Sequence, residues 1–418
     1  MKLWRYLKKR MERYKNRIAF ANAGLTYADV LAFHEKFSSE NKLVLCEGET
    51  REEQALSVLK CIASGDTAVP ITKEYGLRNY EYIKNKMERA SAKAAADLAF
   101  LMFTSGTTGV PKGVMLTDEN IISNLEYVSS YFRLEGMKSI CISRPLVHIA
   151  VLTGELLYAL CNGLTVYFYE EAFMPQRLLS YFSTRQIDVF CATPTLFQAL
   201  AVANKNKASC LKVAVLSGEI LTKKTSESIA ASFSQTKFYN VYGLTEHSPR
   251  VSALLPSDFE RKAGSVGKPI GNVKTKIENG ELLIKSPSVM RGYYLDEEKT
   301  KEKLRDGWLY TGDRARYDAE GFLYIEGRKD GMLIRSGINI YPEEIENAAK
   351  SVDGVLDCLA YGELNDKGTT LCMKYVGTAE VKELKKRLLE LLNPHLIPTK
   401  IEKVEELART ASGKKLRT

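Results

Sequence analysis

At 418 residues the chain is longer than one hydrophobic core usually organises, so two or three packing units joined by a mobile linker are expected. Hydrophobic residues at 45% and charged residues at 27% exclude a disordered or membrane-spanning chain. The formal net charge is +9, yet residues 1–17 alone hold eight basic side chains against Glu12; the remainder is close to neutral, which excludes a nucleic-acid binder with a continuous basic stripe.

Trp4, Leu7, Met11 and Tyr14 recur at helical spacing and predict a basic amphipathic first helix. Such a helix either packs on the body with a solvated basic face or touches an anionic membrane. No apolar run reaches spanning length and no apolar signal region follows, so a cytoplasmic location without stable membrane insertion is expected. Eight cysteines lie scattered among apolar neighbours and read as reduced core residues, and the four distant histidines argue against zinc.

From about residue 25, helical periodicity alternates with short β-branched runs at 43–46, 67–71, 140–143, 165–169, 189–192 and 213–216. That alternation predicts an α/β fold, a large N-terminal domain of β-α layers. After Pro256 the strands shorten and the turns become glycine-rich, as at Asn279-Gly280 and Gly292, predicting a small β-rich subdomain. A charged turn at 327–331 then leads into a small α+β C-terminal domain, with helices at 342–350 and 381–392 and strands at 355–361 and 371–376. The expected domains are 1–329 and 330–418.

Residues 101–116 read LMFTSGTTGVPKGVML, an apolar strand, a hydroxyl- and glycine-rich loop, then Pro-Lys-Gly and a second strand. The chemistry is that of a phosphate grip. Gly106 and Gly109 let backbone N–H groups approach oxyanions, Thr104, Ser105, Thr107 and Thr108 add hydroxyl donors, and Lys112 supplies a mobile cation. The spacing is not that of a Walker A loop, which needs four residues between its glycines and a lysine directly after the second.

At this loop the sequence resembles the adenylate-forming superfamily of acyl-CoA synthetases, aryl-acid ligases, peptide-synthetase adenylation domains and luciferases. The resemblance continues downstream in order. Residues 239–248, YNVYGLTEHS, are similar to the family's adenine and magnesium motif. By that resemblance Asn240 meets the adenine edge, Tyr242 stacks on its face beside Gly243, Thr245 touches phosphate and Glu246 holds Mg²⁺, whose preference for carboxylate oxygen suits the role. In GWLYTGD, Asp313 would accept from the ribose hydroxyls, and in GRKD, Arg328 would bridge ribose and phosphate while Asp330 matches the hinge. In the closing ARTASGKKLRT, Lys414 matches the catalytic lysine that stabilises charge building at the α-phosphate.

The resemblance implies two half-reactions with the C-terminal domain turning between them. A carboxylic acid and MgATP give an acyl adenylate, helped by Lys112, Thr107, Thr108, Glu246 and Lys414, and a thiol then displaces AMP, with Ser336 and Gly337 lining its tunnel. Coenzyme A is the expected acceptor, and the phosphopantetheine arm of an acyl carrier protein is the alternative. A non-catalytic nucleotide-binding protein would release no pyrophosphate, and the intact motif residues speak against it.

Amino-acid-activating relatives carry an aspartate within the stretch matched here by residues 144–155, RPLVHIAVLTGE, where His148 and apolar residues stand instead. An α-ammonium would be buried unpaired there, so a fatty, short-chain or aryl acid is expected. His148 is either a gate over the acid or a structural histidine. Ser217, Gly218, Glu219 and His247 complete the expected pocket, with a structural Glu219 and a His247 that only shapes the loop beside the metal as the alternatives, and Arg250 would either bind a second carboxylate or lie solvated at the surface. Three features depart from the family pattern: a short interval before the phosphate loop, implying a trimmed N-terminal subdomain, Ala408 and Ala411 where prolines are common, and a single glycine before Glu219.

Overall fold

The computed structural model describes residues 2–33, 41–73, 77–89, 97–104, 111–205, 209–329, 331–335, 337–365 and 368–407. Its β-branched runs form strands close to their expected bounds, at Leu43–Cys46, Thr67–Pro70, Ser139–Ile142, Thr165–Phe168, Val189–Ala192 and Val213–Ser217. The chain divides into two compact units, one of residues 1–104 and 112–326 and one containing 327–418.

In the first unit a nine-stranded sheet runs in the order Lys268–Pro269, Arg250–Leu254, Lys237–Gly243, Val213–Ser217, Val189–Ala192, Ser139–Ile142, Thr165–Phe168, Ile18–Phe20, Leu25–Thr26. Its central pairs are parallel and its outer pairs antiparallel. Strands such as Val189–Ala192 and Val213–Ser217 are buried along their whole length. They read as continuous apolar runs because each face is covered: Phe182, Phe197 and Phe233 pack on one side, and Leu125, Val151 and Leu152 belong to the core on the other.

A second sheet orders Gly292–Tyr293, Lys112–Thr117, Leu98–Thr104, Thr67–Pro70 and Leu43–Cys46, parallel at its Leu43 edge and antiparallel at the Gly292 edge. The predicted β-rich subdomain is a third, antiparallel sheet of Lys274–Glu278, Glu281–Lys285, Trp308–Tyr317, Leu304–Arg305 and Leu323–Arg328. Its first hairpin turns through Asn279 (φ 51°) and Gly280 (φ 77°), the two-residue left-handed turn that an Asn-Gly pair favours. The expected turn at 327–331 begins later than its sequence suggests, because Gly327 and Arg328 complete the strand Leu323–Arg328.

The first helix, Lys2–Met11, buries Leu3, Trp4, Leu7 and Met11 in the main core. The packed alternative therefore holds: its apolar face is spent on the body, while Lys2, Arg5 and Lys9 remain exposed. No described helix is long and apolar enough to cross a membrane.

The second unit has its own core, built from Ile345, Ala349, Cys358, Ala360, Met373, Tyr375, Leu384 and Leu388. Helices Pro342–Lys350 and Val381–Leu391 accompany a sheet of Val355–Asn365, Gly368–Gly377 and Lys400–Lys403. A short hairpin, Leu333–Arg335 with Ile338–Ile340, turns through Gly337 (φ 77°).

Candidate functional site

Thr104 and Lys112 are the last paired residues of an antiparallel hairpin, which fixes both ends of the hydroxyl-rich loop. Ser105, Gly106, Thr107, Thr108 and Gly109 lie outside the described residues, as do Asp330, Ser336 and Lys414. Lys112 is half-buried, with its ammonium 5.6 Å from the centre of the Tyr293 ring. Burial holds this lysine below the usual range, Lys299 pushes it the same way, and Glu246 opposes them. The Tyr293 hydroxyl donates to Glu246 Oε1 at 2.8 Å.

The lysine of one motif and the carboxylate of another thus meet over one tyrosine ring. Tyr293 is brought there because its strand pairs with the strand that begins at Lys112, with Tyr293 opposite Val114. Sequence reasoning missed Tyr293, since that pairing joins residues remote in sequence. The backbone N–H of Met290 donating to Glu246 O at 2.8 Å also ties the segment before Tyr293 to the carboxylate's own backbone.

Tyr242 and Asp313, 71 residues apart in sequence, are joined directly, the tyrosine hydroxyl donating to Asp313 Oδ2. Asp313 is buried, and its N–H donates to Thr311 Oγ1 at 3.0 Å. Gly243 is required by close packing: a Cβ there would stand 2.2 Å from Pro249 O. Asn240 is nearly inaccessible, and its Nδ2 donates to Ser265 O at 2.7 Å, so its amide supports the strand. Thr245 and Glu246 lie half-buried on a short 3₁₀ turn, Thr245–His247. Arg328 ends the strand Leu323–Arg328.

The expected pocket residues separate into two groups. Glu219 Oε2 accepts from Thr195 N at 3.0 Å, in the first turn of helix Pro194–Ala203, where a carboxylate satisfies a free N–H and the helix dipole. His247 is 0% exposed, with Nε2 at 2.7 Å from Ser286 Oγ, and burial pulls its ring down to about 3, so it is neutral. Both side chains are engaged in contacts within the fold.

His148, Ser217 and neighbouring Gly218 (φ 88°) instead lie beside an unexpected ion cluster. Arg144 Nη1 is 3.5 Å from Ser217 Oγ, and Arg144 Nη2 donates to Glu155 Oε1 at 2.5 Å. Glu155 is 0% exposed; burial raises its carboxyl, opposed by Arg144 and then Arg250. His148 is drawn down to about 4 by burial and then by Arg144, so its ring is uncharged at neutral pH. Arg250 corrects the surface alternative, being 3% exposed inside the strand Arg250–Leu254, which is paired on both sides. The stretch 144–155 therefore does contain a buried carboxylate, Glu155, which Arg144 already holds.

A cavity of about 420 Å³ opens beside helix Pro175–Arg185, lined by Gln176, Leu179, Ser180, Asn204 and Lys205 among others, and contains none of the motif residues.

A family model described as AMP-binding enzyme matches residues 37–294, and one described as AMP-binding enzyme C-terminal domain matches residues 344–414. The long-chain-fatty-acid–CoA ligase of Bacillus subtilis is 32% identical over 348 residues, covering 77% of this chain and 61% of its own. The 2-succinylbenzoate–CoA ligase of Oceanobacillus iheyensis is 29% identical over 334 residues, covering 77% of this chain and 69% of its own. A solved double mutant of o-succinylbenzoate CoA synthetase from Bacillus subtilis, bound with its product analogue, is similar with a TM-score of 0.83 at 25% identity, over 99% of this chain and 97% of that one. The same synthetase in complex with ATP and magnesium ion gives a TM-score of 0.67 at 25% identity, over 99% and 98%. The chain spans less than two thirds of the length of the fatty-acid ligases it matches, 61% in the first and 64% in another.

Proposed function

The chain belongs to the AMP-binding enzyme family, and from that premise we propose that it activates a fatty, short-chain or aryl carboxylic acid with ATP and transfers the acyl group to coenzyme A. A carboxylate oxygen attacks the α-phosphorus, a P–O bond forms and pyrophosphate leaves. The CoA sulfur then attacks the acyl carbon, a C–S bond forms, the bond to AMP breaks and the thiol gives up its proton. Adenylation first makes a good leaving group of a poor one.

The observation that carries this reading is the convergence of Lys112, Glu246 and Tyr293. A half-buried cation beside a half-buried carboxylate suits a polyphosphate with a divalent ion, and Glu246 Oε2 is a hard oxygen suited to Mg²⁺. When bound, that ion supplies charge neutralisation at the phosphates. Thr104 and the loop residues Ser105, Gly106, Thr107, Thr108 and Gly109 would grip phosphate. Tyr242, Gly243 and Asn240 would frame the adenine, Asp313 and Arg328 the ribose. Lys414 would act on the α-phosphate, Asp330 as the hinge, and Ser336 with Gly337 along the thiol path.

The names of the similar proteins, ligases that form CoA thioesters of fatty and aryl acids, support CoA over a carrier protein as acceptor. The test is acid-dependent pyrophosphate release with MgATP across fatty, aryl and amino acids, with and without CoA. Release with fatty or aryl acids and matching thioester formation is expected. Silence with every acid overturns the activity; release with amino acids alone overturns the substrate class; release without a CoA thioester overturns the acceptor.

A further inference from the structure

The ion cluster beside His148 has more positive charge than it can use internally. Two guanidinium groups, half-buried Arg144 and buried Arg250, share one buried carboxylate, Glu155, so the cluster carries an excess of positive charge. Glu155 Oε1 is taken by Arg144, and Glu155 Oε2 and Arg144 Nε are buried without hydrogen-bond partners. Among the described residues the Arg250 side chain makes no hydrogen bond or ion pair; the hydrogen bonds at Arg250 are made by its backbone, two of them with Asn124 and others with the His247 ring and the neighbouring strand. A buried cation left unpaired is costly, and a site that keeps one is poised for an anion.

The backbone around the cluster is built to admit it. Residues Leu152–Leu157 form a π-helical turn, an arrangement frequent at functional sites, which carries Thr153, Gly154 and Glu155 in the interior. The guanidinium of Arg250 lies against Gly154, where a Cβ would stand 2.9 Å from Nη2 and 3.1 Å from Nε. Any side chain there would push the cation away. The cluster also touches Ser217 through Arg144, which itself stands four residues before His148, so it links the segments expected to hold the acid. It is separate from the phosphate corner, where the charges acting on Lys112 are those of Lys299, Glu246, Lys303 and Asp296.

We propose that Arg250, seated on Gly154 and supported by the Arg144–Glu155 pair, selects an acid that bears a second carboxylate, its guanidinium fork binding the carboxylate that does not react. This rests on the acid-activating function proposed above.

The test compares kcat/KM for pyrophosphate release across matched pairs of acids: hexanoate and adipate, decanoate and sebacate, benzoate and phthalate. Wild-type enzyme is expected to favour the dicarboxylic member of at least one pair by about tenfold or more. In Arg250→Met that preference falls by about tenfold, mainly through KM for the dicarboxylic acid, and Arg250→Lys retains part of it. Gly154→Ala, which keeps the cation but takes its seat, also lowers the ratio and serves if Arg250→Met does not fold by circular dichroism. A wild-type preference for the monocarboxylic member in every pair overturns the proposal, as does an unchanged ratio in folded Arg250→Met and Gly154→Ala. Silence with all acids overturns the acid-activating function and this proposal together, whereas release confined to monocarboxylic acids overturns this proposal alone.

Discussion

The phosphate corner and the ion cluster beside His148 handle charge in opposite ways. Lys112 and Glu246 are half-buried and meet across Tyr293, so water and ligand can still reach them. Glu155 and Arg250 are packed into the core with Arg144 half-buried beside them, and Glu155 Oε2 and Arg144 Nε have no hydrogen-bond partner. Charge at the first place is inexpensive and exchangeable; at the second it is a standing cost that only exact pairing offsets. The difference teaches that charges left within reach of solvent stand where short sequence motifs announce them, while the buried charges are assembled by packing that no motif announces.

The sharpest way to break the comparison is Arg144→Met. It leaves Glu155 buried without its cation, and an unfolding free energy lower by about 3–5 kcal/mol is expected from urea denaturation. A loss under about 1 kcal/mol would put the pair in the solvent-screened class. At the open corner the effect should fall on rate and spare stability: Glu246→Gln is expected to lower acid-dependent pyrophosphate release by about 10²–10³-fold while the melting temperature changes little.

Acid should act on the buried side. His247 has a folded pKa below that of an unfolded histidine, so the unfolded state binds a proton first and stability drops as pH falls through about 6.5 toward the folded value of about 3. Between pH 7 and pH 4.5 this ring accounts for about 2–3 kcal/mol, and His247→Gln should shrink the measured pH dependence by that amount. The smallest effect expected is at Tyr293→Phe. Removing the hydroxyl that donates to Glu246 should cost about tenfold in kcat/KM for MgATP, with the ring and its contact to Lys112 retained.

The order of elements was legible because β-branched runs and helical periodicity are local signals: the run at 189–192 is the strand Val189–Ala192, and the helix expected at 342–350 is Pro342–Lys350. The Lys112 and Glu246 pair was legible through its motifs. Arg250 was not, because an arginine after proline reads as surface; it is buried by strands on both sides that no local pattern announces. Glu155 was hidden for a related reason, since its partner lies eleven residues back and only the irregular helix turns the two toward each other.

That helix has a further consequence for how the chain tolerates change. A π turn holds one residue more than the α-helical turn it replaces, so deleting a single residue within Leu152–Leu157 lets the segment revert to regular helix without breaking it. Because either turn completes one full rotation, the segments on both sides keep their relative orientation and only the residues inside the turn change place. Such a shortened chain would keep its flanking packing while Glu155, inside the turn, moves from its place against Arg144, so in this stretch length, as well as composition, encodes where the charges point.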